Sequence, residues 1–137
     1  MQIRLYEDAD EQGVIALWRE VLPDDSPHNE PARSLRNKLA VDRDLLMVAV
    51  EGGAVVGAVM GGYDGHRGWV YSLAVKPEHR RCGIGSGLVR QLEGALAGRG
   101  CLKVNLQVRV TNAAAVAFYE RLGYTVEERV SMGRRLI

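Results

Sequence analysis

The stretch LAVKPEHRRCGIGSGL, Leu73 to Leu88, puts an apolar strand end, a proline turn and a glycine-interrupted helix start in direct succession. The strand ends at Val75. Arg80-x-x-Gly83-x-Gly85 then leads into an amphipathic helix whose apolar stripe is Leu88, Val89, Leu92 and Leu96, ending near Gly98-Arg99-Gly100. Glycines between a strand end and a helix start let backbone N–H groups converge on an anion, and the helix dipole adds to the attraction. The stretch therefore reads as a diphosphate cradle, with a generic glycine turn as the plain alternative. No Lys-Ser/Thr pair closes it as in a Walker loop, and the early Gly-x-Gly of a dinucleotide fingerprint is missing.

Downstream, Leu102 to Val108 reads as a strand with Leu102, Val104, Leu106 and Val108 on one face and Lys103, Asn105 and Gln107 on the other. A strand, a crossover helix and a further strand predict parallel pairing of Trp69–Val75 with Leu102–Val108. Upstream, Leu45 to Val50, a hairpin turn at Glu51-Gly52-Gly53 and Ala54 to Met60 read as antiparallel neighbours. A glycine-rich connection over 61–68 brings in Trp69–Val75, so these strands form a meander.

At the start, residues 2–6 suggest a first strand, and Asp8-x-x-Glu11 resembles a capping box. Val14, Leu17, Trp18 and Val21 follow at helical spacing, which makes Trp18 a core residue before a substrate wall, and Pro23 ends the helix. A polar, proline-rich loop then becomes a short basic helix over 32–40, anchored by Leu35 and Leu39. Such an insert either shapes a substrate entrance or is a solvated connection. Near the end, Thr111-Asn112 caps a helix that packs through Ala115, Phe118, Tyr119 and Leu122 and stops at Gly123. Residues 124–130 and 132–137 read as two terminal strands joined at Ser131-Met132-Gly133. They either pair across two subunits, giving a homodimer, or close a monomer. The pattern is α/β (α+β): one domain over 1–137, with a mixed, mostly antiparallel sheet and flanking helices.

The composition narrows the function classes. With 18 basic and 17 acidic residues the formal charge is +1, too balanced for a nucleic-acid groove. Two cysteines, Cys82 and Cys101, make no disulfide scaffold, and three histidines without metal spacing make no zinc motif. No run approaches membrane-spanning length, and the acidic start lacks the basic end of a signal peptide, so a cytoplasmic location is expected.

VKPEHRRCGIGSGL followed after one helix and one strand by TNAAAVAFYERLGY strongly resembles the GCN5-related N-acetyltransferase superfamily, and the likeness covers essentially the whole chain. VMGGYDGHRG and the ending MGRRL are similar to the bacterial YpeA-type acetyltransferases. The resemblance implies acetyl-CoA as cosubstrate and a small-molecule amine or a peptide or protein amine as acceptor. It implies that amides near Arg81, Gly83, Gly85 and Ser86 hold pyrophosphate oxygens, while the Arg80 side chain is either a phosphate ligand or a brace. Main-chain groups near Leu73 and Val75 are implied to pair with pantetheine, the amide near Leu73 polarising the thioester carbonyl. Tyr119 is implied as proton donor to sulfur, although its spacing also suits a core tyrosine. Asn112 is a helix cap, a CoA contact, or both.

The general base is not evident, because Trp69–Val75 and Leu102–Val108 contain no acidic residue. Asn105 either positions a water that takes the proton or is an ordinary polar strand face, and Asp64, His66 and Tyr71 are further candidates on the acceptor side. His79 suits a contact near phosphate, Cys82 a small loop side chain, and Cys101 a structural position. Asp24, Asp25 and Asp64 offer attraction for a cationic acceptor, whereas Arg33, Arg36 and Lys38 oppose it. The absent carboxylate base leaves a non-catalytic acyl-CoA-binding or interaction domain as the second expectation.

Overall fold

A computed structural model describes residues 1–24 and 26–137. The chain divides into two compact units, Met1–Leu106 and Gln107–Ile137.

The first unit runs β1 (Gln2–Leu5), α1 (Glu11–Val21), α2 (Pro31–Val41), β2 (Leu46–Glu51), β3 (Ala54–Tyr63), β4 (Gly68–Val75), α3 (Ile84–Gly98) and β5 (Val104–Leu106). The five strands form one sheet in chain order, antiparallel from β1 to β4 and parallel between β4 and β5. This is the α/β architecture with a mixed, mostly antiparallel sheet that the pattern predicts. The capping box sits one residue earlier than expected: the Glu7 amide donates to the Asp10 carboxylate at 2.8 Å, and Asp10 also takes the Arg4 guanidinium at 2.7 Å. The sequence window hides this because acidic residues occupy 7, 8, 10 and 11 alike.

The two sheet faces carry different cores. On one, Val14, Leu17 and Trp18 of α1 and Leu35 of α2 pack with Val48, Ala58 and Ala74. On the other, Leu88, Leu92 and Leu96 of α3 meet Met47, Val59 and Val70, with Val104 and Leu106 at the margin. The glycine-rich connection expected over 61–68 is shorter than it looks, because Gly61, Gly62 and Tyr63 belong to β3. Gly61 lies directly under Leu92, where any Cβ would overlap that side chain. Its glycine is there for close helix approach and not for a turn. The strand expected over 102–108 shrinks to three residues, and Leu102 is 95% exposed.

The second unit contains α4 (Ala113–Arg121), begun at Asn112, whose side chain accepts the Ala115 amide at 3.0 Å. Gly123 follows in the left-handed region at φ 98°. The two strands expected over 124–130 and 132–137 are not formed among the described residues. Alternation alone does not make a strand, since the ladder needs a partner to take its amides and carbonyls. Among the described residues, no helix is long and apolar enough to cross a membrane.

Candidate functional site

The turn from β4 to α3 is built to leave amides open. Lys76 donates its N–H to the Val56 carbonyl at 2.9 Å, and Pro77–His79 makes a single tight turn closed by His79 N–H to the Lys76 carbonyl at 2.9 Å. The chain then passes through two left-handed residues, Arg81 at φ 64° and Gly83 at φ 79°. Glycine takes that conformation freely, while for Arg81 it costs about 1 kcal/mol or more. Gly83 is the N-cap of α3 and supplies no side chain to cover the first turn. The amides of Ile84, Gly85 and Ser86 have no carbonyl four residues back within the helix, and the Gly87 amide bonds Gly83 at 2.9 Å. Open amides at the head of a 15-residue helix, beside Lys76 and Arg81, can hold an anion. Arg80 acts as a brace, its Nε donating to the Val75 carbonyl at 3.2 Å. That carbonyl keeps a second lone pair for a ligand.

His79 is directed away from the expected phosphate contact: its Nε2 meets the Glu51 carboxylate at 3.0 Å, and its Nδ1 is buried without a partner among the described residues. The Cys82 thiol is exposed and reaches the Arg80 carbonyl at 3.6 Å. Cys101 lies against Gly68, consistent with a structural position. No group of three or more His, Cys, Asp or Glu suited to a metal ion occurs among the described residues.

Next to the turn, β4 is irregular. The β3–β4 register slips between Ala58 and Met60, opposite Ser72, whose φ is 53°. The indole Nε1 of buried Trp18 donates to the Ser72 carbonyl at 3.0 Å. A bulge re-aims the backbone, and this hydrogen bond pins the re-aimed peptide just before Leu73. β5 pairs only with Gly68–Val70, so β4 from Tyr71 onward has no β5 partner. Main-chain groups on that free edge, around Leu73 and Val75, are available to an extended ligand. The sequence reading of Trp18, core before substrate wall, did not include this hydrogen bond. The available signal was Ser72, the one aliphatic hydroxyl in a strand of otherwise apolar and aromatic side chains.

On the other side of β4, a groove of about 360 Å³ is lined by His28, Asn29, Ser34, Asn37, Lys38 and Val41 with Met60 and Tyr71. The proline-rich insert and α2 thus form one wall and the central strands the other. Tyr71, stacked on Trp69 with ring centroids 6.2 Å apart, has its phenol pushed up by desolvation and by Asp64. Lys38 is pushed down by desolvation, with Arg99 acting the same way and Asp42 opposing.

The carboxylates expected to attract a cation do other work. Asp24 takes the Ser26 amide at 2.7 Å and the Asn29 side-chain amide at 2.9 Å. Asp64 takes the Arg67 and His66 amides, both at 2.8 Å, which hold its pKa below the ordinary range. Asp25 lies outside the described residues. Among the other base candidates, Tyr71 lines the groove and His66 sits in the exposed turn after Asp64. Asn105 pairs in register with Trp69.

Within the second unit, Tyr119 is packed edge-on against Phe118 and Tyr124, with centroids at 4.9 and 5.6 Å. Burial pushes its phenol up to about 12, so it stays protonated at neutral pH.

A small mixed sheet with an uncapped glycine turn feeding one helix, a bulged central strand and a neighbouring groove suits a group-transfer enzyme with an anionic donor. The profile of the acetyltransferase (GNAT) family matches residues 8–124, and the chain belongs to that family. It is an acetyltransferase by class. An acetyltransferase of Yersinia enterocolitica is 42% identical over 139 residues, covering 100% of this chain and 96% of that protein. One from Sodalis glossinidius is 44% identical over 140 residues with the same coverage. Among solved structures, AAC(6')-Iy bound to a CoA bisubstrate analogue superposes with a TM-score of 0.82 at 17% identity, over 99% of this chain and 98% of that one. Ard1 from Thermoplasma volcanium gives 0.80 at 26% identity, over 92% and 83%.

Proposed function

We propose that residues 1–137 form one domain that moves an acetyl group from acetyl-CoA to a primary amine by direct attack in a ternary complex. The observation that carries this is the β4–α3 turn, with its open first-turn amides at Ile84–Ser86 beside the unpaired edge of bulged β4. The amides near Arg81, Gly83, Gly85 and Ser86 take the pyrophosphate, the Arg80 brace holding the turn in shape. The pantetheine amides pair along β4 near Leu73 and Val75, and Asn112 adds a CoA contact while capping α4.

The acetyl carbonyl accepts from the amide near Leu73. Negative charge grows on that oxygen as the amine attacks, so a donor fixed by the Trp18-held bulge is worth most in the transition state. The tetrahedral intermediate collapses with loss of CoA thiolate, and Tyr119 supplies the proton to sulfur. Its raised pKa keeps the proton available until charge appears on the leaving atom. Among the described residues no carboxylate lines the groove; the amine enters in its neutral form and releases its remaining proton to water.

CoA-bound AAC(6')-Iy, an aminoglycoside N-acetyltransferase, supports an amine acceptor. The test is CoA release across primary amines and short peptides, with products identified by mass spectrometry. Acetylation of one amine class with intersecting initial-velocity lines is the expected result. Parallel lines, as from an acyl-enzyme, overturn direct attack.

A further inference from the structure

The groove between α2 and β4 has a one-sided chemistry. Of its eight lining residues, Asn29, Ser34, Asn37 and Lys38 are polar, His28 is an imidazole, and none is a carboxylate. Lys38 is half-buried, and among the described residues its ammonium has no hydrogen-bond or ion-pair partner. Asp42, the acid nearest in sequence, is held by both Arg99 nitrogens, with Nη2 at 2.7 Å from Oδ1. Asp44 lies 3.7 Å from the same guanidinium. Asp24 is engaged through Asn29 and Ser26, and Asp64 by the turn amides of His66 and Arg67. A partly desolvated cation whose nearest carboxylate, Asp42, is committed to Arg99 is only partly compensated, and a ligand's negative group removes that cost.

We propose that the acceptor amine carries an anionic group, a carboxylate or a phosphate, which Lys38 binds at the α2 wall of this groove. The proposal rests on the acetyltransferase function above and narrows its acceptor to small zwitterionic amines. Desolvation lowers the Lys38 pKa and Asp42 offsets it only in part, as befits an ammonium set into the groove wall. Asn37 and Ser34 stand one and four residues before Lys38 on the same helix. Asn37 adds an amide donor; the Ser34 hydroxyl reaches the His28 carbonyl at 3.5 Å, so it ties the loop to α2. Tyr71 and Met60, opposite, bound the space left for the amine and its carbon chain.

The test pairs binding with turnover. Isothermal titration uses N-acetylglycine, N-acetylglycinamide, N-acetyl-O-phosphoethanolamine and N-acetylethanolamine on wild type, Lys38→Gln and Lys38→Arg. Initial rates use the four parent amines, with spermidine added. The charged member of a pair should bind and turn over better than its neutral partner. Lys38→Gln should weaken it about tenfold to a hundredfold, mainly in KM, and Lys38→Arg should recover part of the loss. Preference for the acetylglycine or the phosphoethanolamine pair assigns carboxylate or phosphate.

Equal binding within both pairs, no binding of either anion, or an unchanged Lys38→Gln overturns the anion site. Spermidine turnover that ignores Lys38→Gln overturns it while leaving acetyl transfer standing. Lys38-dependent anion binding with no acetylated product from any amine leaves the anion site standing and rejects the transferase reading. The Arg variant guards against a folding defect, because it keeps the charge and most of the side-chain volume.

Discussion

Trp18→Phe isolates the hydrogen bond that joins α1 to the bulge. Its indole N–H donates to the Ser72 carbonyl at 3.0 Å, and the side chain is 3% exposed. Losing that donor leaves a buried carbonyl short of a partner, about 1–3 kcal/mol, and the smaller ring forfeits about 1 kcal/mol of packing. With unfolding entropy near 2.1 cal/mol/K per residue, this chain of 137 residues has about 0.3 kcal/mol/K, so Tm should fall by roughly 7–13 °C. The catalytic consequence is separate. A freed Ser72 peptide no longer aims the next amide, and if that amide is the transition-state donor proposed above, misplacing it costs about tenfold to a hundredfold in kcat. The KM for acetyl-CoA should stay within about twofold, because the β4–α3 turn proposed to hold the pyrophosphate is untouched. Leu17→Ala is the control: it removes a core side chain 1% exposed, for about 3–5 kcal/mol, and leaves the indole donor to Ser72 in place. Calorimetry and steady-state kinetics at 20 °C read both. A kcat loss in Leu17→Ala as large as in Trp18→Phe would refute the link from indole to bulge to chemistry.

Three further outcomes are expected. Gly85→Glu puts a carboxylate where diphosphate oxygens are to sit, and isothermal titration should show acetyl-CoA affinity falling about a hundredfold or more; wild-type affinity would remove Gly85 from the cradle. Tyr119→Phe should lower kcat about a hundredfold with acetyl-CoA affinity kept, and wild-type kcat should show no loss from Tyr119 ionisation between pH 7 and 10, since the phenol is pushed up to about 12. Asp10 is desolvated, yet the Arg4 hydrogen bond and the Glu7 amide together hold its pKa below the ordinary range. Its contribution is therefore full above about pH 4, the unfolded value, and is lost as pH falls through the folded one. Asp10→Asn should cost about 1–3 kcal/mol at pH 7 and progressively less as pH falls below about 4 by urea unfolding, and a cost that does not change with pH down to acid unfolding would contradict this.

What the sequence disclosed follows how local each signal is. The α3 stripe of Leu88, Val89, Leu92 and Leu96 is wholly buried as its spacing predicts, and Asn112 caps α4 through a bond spanning three residues. Gly61 misled because glycine marks a turn in sequence and a close helix approach in space, and only Leu92 distinguishes the two. Leu102 kept strand alternation in a place where no neighbouring strand pairs with it. The Trp18–Ser72 bond spans 54 residues, so periodicity identified a buried indole and said nothing of its hydrogen bond. The groove was foreshadowed only through the proline-rich insert over 24–39, read as an entrance or a solvated connection. Its far wall, Met60 and Tyr71, comes from two strands whose register no local pattern reports.

The most direct test of the central claim follows isotopically labelled acetyl-CoA by mass spectrometry, incubating wild type and Gly85→Glu side by side with the amine panel. Label on an amine with wild type, and its loss with Gly85→Glu, is the predicted result. Label that stays on CoA with every amine, while wild type binds acetyl-CoA tightly, would contradict it.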